Sequence, residues 1–497
     1  MRLILGLLAL AFMAVSVWRL EADRAGLEIG PLEVEGGTPA TLYTRAGEDM
    51  APVVIVAHGF AGSRQLMEPF ALTLAQAGYV VASFDFEGHG RNPQPMSGDV
   101  ASIGGTTQLL MDETARVARA ALAHPRSDGR LAYLGHSMAS DIVVRQALAE
   151  PAGDAVVAIS MFSEAVSPEA PRNLLVIAGE WEARLAQEAL RAVRQIDPEA
   201  EAGETTGDPA AGLARRAVIA PNVEHVGVLY SATALTAARD WLDASFDRQS
   251  DGPVAMRGGW IAMLLAAAIA LGWPLARALP AGVSANTAGL DNRQFLVASL
   301  LPAVAVPLLL WPLETSVLPV LVADYLALHL GLYGLVTLGL LARRGILPGQ
   351  FPPRVWWIAG AVAIFGIAIV GGVIDRYVAS FLPHAGRVSV IAGLMLGAIP
   401  FMLGDGLLTG GGTGPLWRVV LARGAFLASL ALAVVLDFEA LFFLIIILPV
   451  IMLFFALFGT MSGWVGRRTG LPAAAGLGLG VVLAWALGVT FPMFDAG

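Results

Sequence analysis

Cysteine is absent from all 497 residues, and so is lysine, since every one of the 31 basic residues is arginine. The first absence excludes disulfides, thiolate nucleophiles, iron–sulfur clusters and cysteine-ligated zinc. It leaves the compartment open, because an extracytoplasmic protein can do without disulfides. The second absence excludes a lysine nucleophile, a Schiff base and the lysine of a phosphate-binding loop. Charge is scarce too: 14% of residues are charged, against roughly a quarter in an average soluble domain. With 56% hydrophobic residues and a mean hydropathy of +0.68, the chain needs a lipid-facing part.

The charge that is present is divided unevenly. From Arg257 onward there are 12 arginines and 8 acidic residues, a balance of +4; the preceding part has 19 and 32, a balance of −13, together giving −9. An acidic front half without a basic stripe excludes nucleic acid as a partner. No cofactor or metal is expected from any motif.

Residues 3–18 form an apolar run behind Arg2. It reads as an N-terminal transmembrane anchor or signal over residues 1–20; bulky Val17, Trp18 and nearby Arg19 favour an uncleaved anchor over cleavage at Ala14-Val15-Ser16. Short apolar runs then alternate with amphipathic ones, which predicts a parallel sheet covered by helices. Strands are expected at 52–57, 79–84, 130–134, 155–160, 173–178 and 216–220, after an antiparallel hairpin over 27–45. Helices are expected at 107–122 and 183–196, and an exposed loop at 197–208. The domain reading is 27–246 for this α/β unit, a polar linker at 247–259, and a membrane domain over 260–497. Eight runs there are long enough to cross a hydrocarbon core of about 30 Å: 260–279, 295–313, 317–341, 355–374, 388–408, 419–435, 441–459 and 473–491.

The segment Gly135-His136-Ser137-Met138-Ala139 joins a predicted strand to a predicted helix. It resembles the nucleophile elbow of the α/β-hydrolase family, G-x-S-x-G. A serine in a strained strand-to-helix turn needs small residues two positions to either side. Gly135 meets that need, and Ala139 replaces the usual second glycine. His58-Gly59-Phe60-Ala61-Gly62 follows the first long strand, where the family carries its oxyanion loop. Asp85-Phe86-Glu87-Gly88-His89-Gly90 resembles the family's D-x-x-G-H-G loop, in which Asp85 and His89 shape the loop.

The resemblance implies an α/β-hydrolase fold with an all-α multi-span domain appended, and Ser137 as nucleophile. It implies the backbone amides of Phe60 and Met138 as the oxyanion hole. The family order of serine, acid, histidine places the acid at Glu182, in Gly179-x-x-Glu182, with Glu180 and Glu164 as competitors. The same order places the base at His225, in Asn222-Val-Glu-His225. The other histidines fall outside these roles: His58, His89 and His136 in motif positions that are not catalytic, and His124, His329 and His384 in no motif.

Only residues 161–172 separate the strand before the acid strand from the acid strand itself, too few for a helical lid. The site is expected to be open or roofed by the membrane domain. Asp324, His329, Asp405 and Arg423 are costly ionisable groups in or at the spans. Arginine collects in alternate loops (Arg277 and Arg293, with Asp291; Arg343, Arg344 and Arg354; Arg418; Arg467 and Arg468), and the others hold Glu314, then Asp375 with Arg376 and Arg387, then Asp437 and Glu439, with Asp495 at the C-terminal end. Arginine marks the cytoplasmic side, so the hydrolase unit is expected to face the periplasm or exterior of the plasma membrane.

The expected function is a membrane-bound serine hydrolase that cleaves carboxylic esters, with a lipid or amphiphilic ester as substrate and the membrane as partner. Two alternatives stand beside it: a transporter or membrane scaffold whose hydrolase-like domain binds or regulates, and an acyltransferase using the same triad. All expected catalytic residues precede Phe246, so a fragment of about 21–250 is expected to carry the chemistry alone. No oligomeric state follows from the sequence.

Overall fold

The computed structural model describes every residue except 1, 48, 100–101, 283–288, 314–317, 321 and 496–497. Glu314 and the expected start of the third span at Val317 therefore lie outside the described residues. The N-terminal apolar run is a single helix, α1 (Arg2–Ala22), with Leu3, Leu7 and Trp18 exposed.

Nine strands follow: β1 (Leu27–Leu32), β2 (Ala40–Arg45), β3 (Ala51–Ala57), β4 (Val80–Phe84), β5 (Ser127–His136), β6 (Ala155–Ile159), β7 (Leu174–Gly179), β8 (Thr205–Thr206) and β9 (Arg215–Ala220). They form one sheet in the order β1-β2-β4-β3-β5-β6-β7-β9-β8. β1 and β2 are the expected antiparallel hairpin, and β4, β3, β5, β6, β7 and β9 run parallel. Residues 205–206, expected as part of a loop, pair with β9 instead.

The β3 sequence explains why the sheet is covered on both sides. Successive side chains of a strand point to opposite faces. Val53, Ile55 and Ala57 enter one apolar cluster, and Val54 and Val56 enter the other. A strand apolar at every position is the one that both layers can bury. The covering helices are α2 (Glu68–Gln76), α3 (Gln108–Leu122), α4 (Met138–Gln146), α5 (Ala183–Arg194) and α6 (Ala232–Ser245).

The remaining chain is helical: α7 (Gly258–Ala278), α8 (Asn292–Leu310), α9 (Ala323–Ala342), α10 (Arg354–Ile364) continuing through a π-helical turn into α11 (Gly371–Tyr377), α12 (Arg387–Leu408), α13 (Leu416–Leu436), the short α14 (Phe438–Leu441), α15 (Leu444–Thr469) and α16 (Pro472–Thr490). Among the described residues, nine helices counting α1 are long and apolar enough to cross a membrane. α16 lies at the centre, with 72% of its apolar window buried, and α1 at the edge, with 17%.

Two spans differ from their expected limits by more than three residues. α9 starts at Ala323, where both carboxylate oxygens of Asp324 accept from the Leu318 amide. α15 continues ten residues past Gly459 to Thr469. Gly459 does not end the helix; its missing side chain admits the Arg423 guanidinium. Arg423 in turn pairs with Asp405 at 3.0 Å, and His329 Nε2 lies 3.0 Å from Ser429 Oγ.

Part of the polar linker segment 247–259 is packed. Val254 and Ala255 join the apolar cluster under α2 and α6. Arg257, fully buried, donates to Leu20 O and Glu68 Oε2, both at 2.8 Å. A buried guanidinium without such partners would be costly, so this junction ties α1, α2 and α7 together. The C-terminal end also enters the α/β unit. Met96 N donates to Met493 O at 2.8 Å, and Met493 N to Gly88 O at 2.9 Å. Phe494 packs in the same cluster as Phe84 and Met96. Part of that core therefore comes from residue 494, outside the fragment 21–250.

Candidate active site

β5 ends at His136 and α4 begins at Met138. Ser137 between them is held at φ 54°, ψ −119°, a strained conformation for a residue with a side chain. The surrounding small residues make it feasible. A Cβ on Gly135 would stand 2.4 Å from Ala139 O, so glycine is required there. Ala139, fully buried, fits where the family has glycine.

Ser137, His225 and Glu182 form one hydrogen-bonded chain. His225 Nε2 accepts from Ser137 Oγ at 2.9 Å, and Nδ1–H donates to Glu182 Oε1 at 2.5 Å. The other carboxylate oxygen accepts from Ser160 Oγ at 2.7 Å and from the Gly179 amide at 2.8 Å. Burial raises the Glu182 pKa, but these hydrogen bonds and the His225 interaction outweigh it, and the group stays ionised below its usual range. An alcohol aimed at an imidazole that a carboxylate orients is the arrangement general-base activation requires. The side chain of His225 is 43% exposed, so the site is reachable from outside.

The competing carboxylates are placed elsewhere. Glu180 Oε2 accepts from the Asn222 amide at 2.8 Å and so closes the turn before His225. No hydrogen bond joins Glu164 to His225 among the described residues.

The loop after β3 lies against the elbow. A Cβ on Gly59 would be 2.9 Å from Ser137 Cβ and 3.0 Å from His136 O. The amides of Phe60 and Met138 flank the serine with no hydrogen-bond partner among the described residues. His58 stabilises this loop by donating Nδ1–H to Gly59 O at 2.8 Å and accepting from Phe86 N at 3.1 Å. Burial lowers its pKa, consistent with this neutral form. Asp85 accepts from the Arg64 and Arg91 amides at 2.8 and 3.1 Å, joining the loops after β3 and β4. His89 donates to Glu87 O at 2.9 Å.

Three contributors were not legible as site residues. His136 Nε2 donates to His225 O at 2.8 Å, and burial pushes its pKa down to about 3, so it holds the backbone of His225 as a neutral donor. Ser160, at φ 52°, supports Glu182; it ends a predicted strand but belongs to no motif. Phe443 stacks on Phe60 with centroids 4.9 Å apart. The residues 161–172 contain no helix.

An elbow serine of this geometry on a mostly parallel sheet defines an α/β-hydrolase domain, here of the serine-hydrolase class and joined to an all-helical domain. Residues 48–209 match the family described as serine aminopeptidase, S33, a stretch that ends before His225. No curated protein matches the chain. Among solved structures, it is similar to a dienelactone hydrolase from Anabaena variabilis at 19% identity, covering 45% of this chain and 98% of that one, with a TM-score of 0.32. It is also similar to a hyperthermophilic esterase from the archaeon Pyrobaculum calidifontis at 15% identity, covering 49% and 93%, with a TM-score of 0.33. A hormone-sensitive lipase from a metagenome library matches at 15% identity over 44% and 87%, with a TM-score of 0.32.

Proposed function

We propose that this protein is a membrane-bound serine hydrolase that cleaves carboxylic esters of lipid or amphiphilic molecules. The observation that carries the reading is the unbroken hydrogen-bond chain from Ser137 through His225 to Glu182. His225 takes the Ser137 proton as Oγ attacks the ester carbonyl. Glu182 stabilises the imidazolium, and the Phe60 and Met138 amides receive the oxyanion, an effect worth about 3–4 kcal/mol per donor. The imidazolium protonates the leaving alcohol, and an acyl-enzyme remains on Ser137. Water, deprotonated by His225, then releases the carboxylic acid.

Exposed apolar side chains support an amphiphilic substrate. Phe162, Trp181 and Val226 are 63%, 67% and 44% exposed. They stand beside Ser160, Glu182 and His225 in the loops that close the strands. Apolar surface gathered at a site of this kind marks a lipid or membrane contact. The eight helices after Gly258 exceed what tethering needs, which supports a role for them in selecting or delivering the substrate. Arginine-rich far-side loops support a hydrolase domain facing outward from the plasma membrane, into the periplasm in a Gram-negative cell.

The test is fluorophosphonate labelling of the full-length protein, with turnover of esters of graded chain length and of aminoacyl amides. Ser137→Ala and His225→Ala are expected to abolish labelling and to lower turnover by about 10⁶-fold, and Glu182→Ala by about 10⁴-fold. Retained activity in Ser137→Ala would remove the nucleophile assignment. Turnover of amides alone would replace the ester reading with a peptidase, and ester consumption only with an added alcohol would make the protein an acyltransferase. Labelling without turnover of any substrate would favour the transporter or scaffold reading. A reporter fused after residue 497 is expected to be extracytoplasmic.

A further inference from the structure

At the end of the helical domain away from the sheet, α7 carries Arg277 in its last turn and α15 carries Arg467 and Arg468 in its own. A cavity of about 370 Å³ opens between them, lined by Trp273, Ala276, Trp464 and the three arginines, with no carboxylate among the described residues of its wall. None of the three arginines takes part in an ion pair among the described residues. Arg468 donates to Leu279 O at 2.7 Å, and Arg277 lies 5.2 Å from the Trp273 ring centroid. Arg2 reaches Arg277 O at 3.5 Å, adding a fourth guanidinium. Two helix C-termini contribute about −0.5 charge each, far short of balancing this group.

Two apolar grooves leave the cavity on different faces of α7. The first, about 490 Å³, shares Trp273 and Trp464 with it and passes over Leu5, Phe12 and Met263 between α1 and α7. From Met263 to Trp273 is ten residues, about 15 Å of helix. The second, about 410 Å³, shares Ala276 and passes over Leu275, Ile364 and Met461 beside α10 and α15.

We propose that this end of the domain binds an anionic diacyl glycerophospholipid. The phosphate sits against Arg277, Arg467 and Arg468, and one acyl chain lies in each groove. A soluble phosphate compound would leave both grooves without a role. A zwitterionic lipid would bring a cation to a cavity whose described wall residues include no carboxylate. Basic pockets between spans are the usual seat of anionic headgroups. The site is at the opposite end of α7 from Gly258, which packs on Tyr230 of the hydrolase domain. The lipid is therefore a ligand of the scaffold and not the ester presented to Ser137.

The test is native mass spectrometry and thermal unfolding of the full-length protein in detergent, with dioleoyl phosphatidylglycerol, dioleoyl phosphatidylcholine or inorganic phosphate added. Phosphatidylglycerol is expected to remain bound one per chain and to raise Tm, and the other two are not. Arg277→Gln/Arg467→Gln/Arg468→Gln is expected to lower its affinity about a hundredfold, and Arg467→Gln alone by a smaller factor, which decides the matter if the triple variant does not fold. Arg293→Gln/Arg344→Gln alters a second cavity on this side that already holds Asp291, and should leave binding intact. Equal retention of phosphatidylcholine would overturn the proposal, as would equal loss in that control variant or protection by inorganic phosphate alone.

Discussion

Phe443, in the turn between α14 and α15, stacks on Phe60 with ring centroids 4.9 Å apart and planes inclined by 29°. Phe60 follows Gly59, the residue pressed against Ser137, so a side chain of the helical domain reaches the wall of the site. Around this contact the two domains are joined by polar bonds. Ser380 N donates to Ser63 Oγ at 3.1 Å, Arg91 pairs with Asp375 at 2.7 Å, and Arg387 donates to Gly88 O at 2.9 Å. The loops after β3 and β4 are thereby fixed from outside the hydrolase domain.

Phe443→Ala is expected to reduce kcat/KM for long-chain esters about tenfold relative to short ones. Fully burying a phenyl ring is worth about 1.5–3 kcal/mol, and Phe443 is half-buried, so only part of that would be gained by a long acyl chain lying along it. The ratio of the two kcat/KM values in one detergent is the measurement. An unchanged ratio would show that the ring closes the loop without touching substrate.

Gly59→Ala is expected to lower kcat by about 10²–10³ in the fraction of the protein that remains folded. The added methyl would meet Ser137 Cβ at 2.9 Å and His136 O at 3.0 Å. The partly buried loop must shift to relieve this, carrying the Phe60 amide away from the oxyanion. Kinetics and thermal unfolding of the same preparation separate that outcome from misfolding.

The Glu182 carboxyl has a folded pKa below its ordinary value of 4.5. A depressed acid pKa contributes stability that is fully present above the unfolded value and is lost as pH falls through the folded one. The stability difference between the native protein and Glu182→Gln should therefore be level near neutral pH and shift against the native protein below about pH 4.5. A shift in the opposite sense would mean that burial, and not the partners of the carboxylate, dominates.

Phe494→Ala should destabilise the hydrolase domain, although residue 494 follows the last span. Its side chain is 4% exposed and lies in the core cluster of that domain. Truncating a buried phenylalanine costs about 3–5 kcal/mol. Thermal unfolding followed by loss of fluorophosphonate labelling reports on this domain directly, and an unchanged midpoint would rule out a shared core.

The sequence by itself determined the features that depend on local pattern. The apolar run at 51–57 is a strand buried on both faces, and Gly135 and Ala139 flank Ser137 because the turn leaves room for nothing larger. The spans were legible from hydropathy alone, because a lipid-facing helix must be apolar over its whole length. What needed the tertiary structure was contact between remote positions. His225 is 88 residues from Ser137, and Glu182 is 43 from His225. Sheet register makes Glu182 the histidine's partner and turns Glu180 to Asn222. The supports from Ser160 and His136, the ring of Phe443 and the buried Phe494 leave no periodic trace, because each arises where one element packs on another far away in the chain. Gly459 shows the same limit: local pattern reads it as the end of a helix, and the packing of Arg423 against it carries α15 on to Thr469.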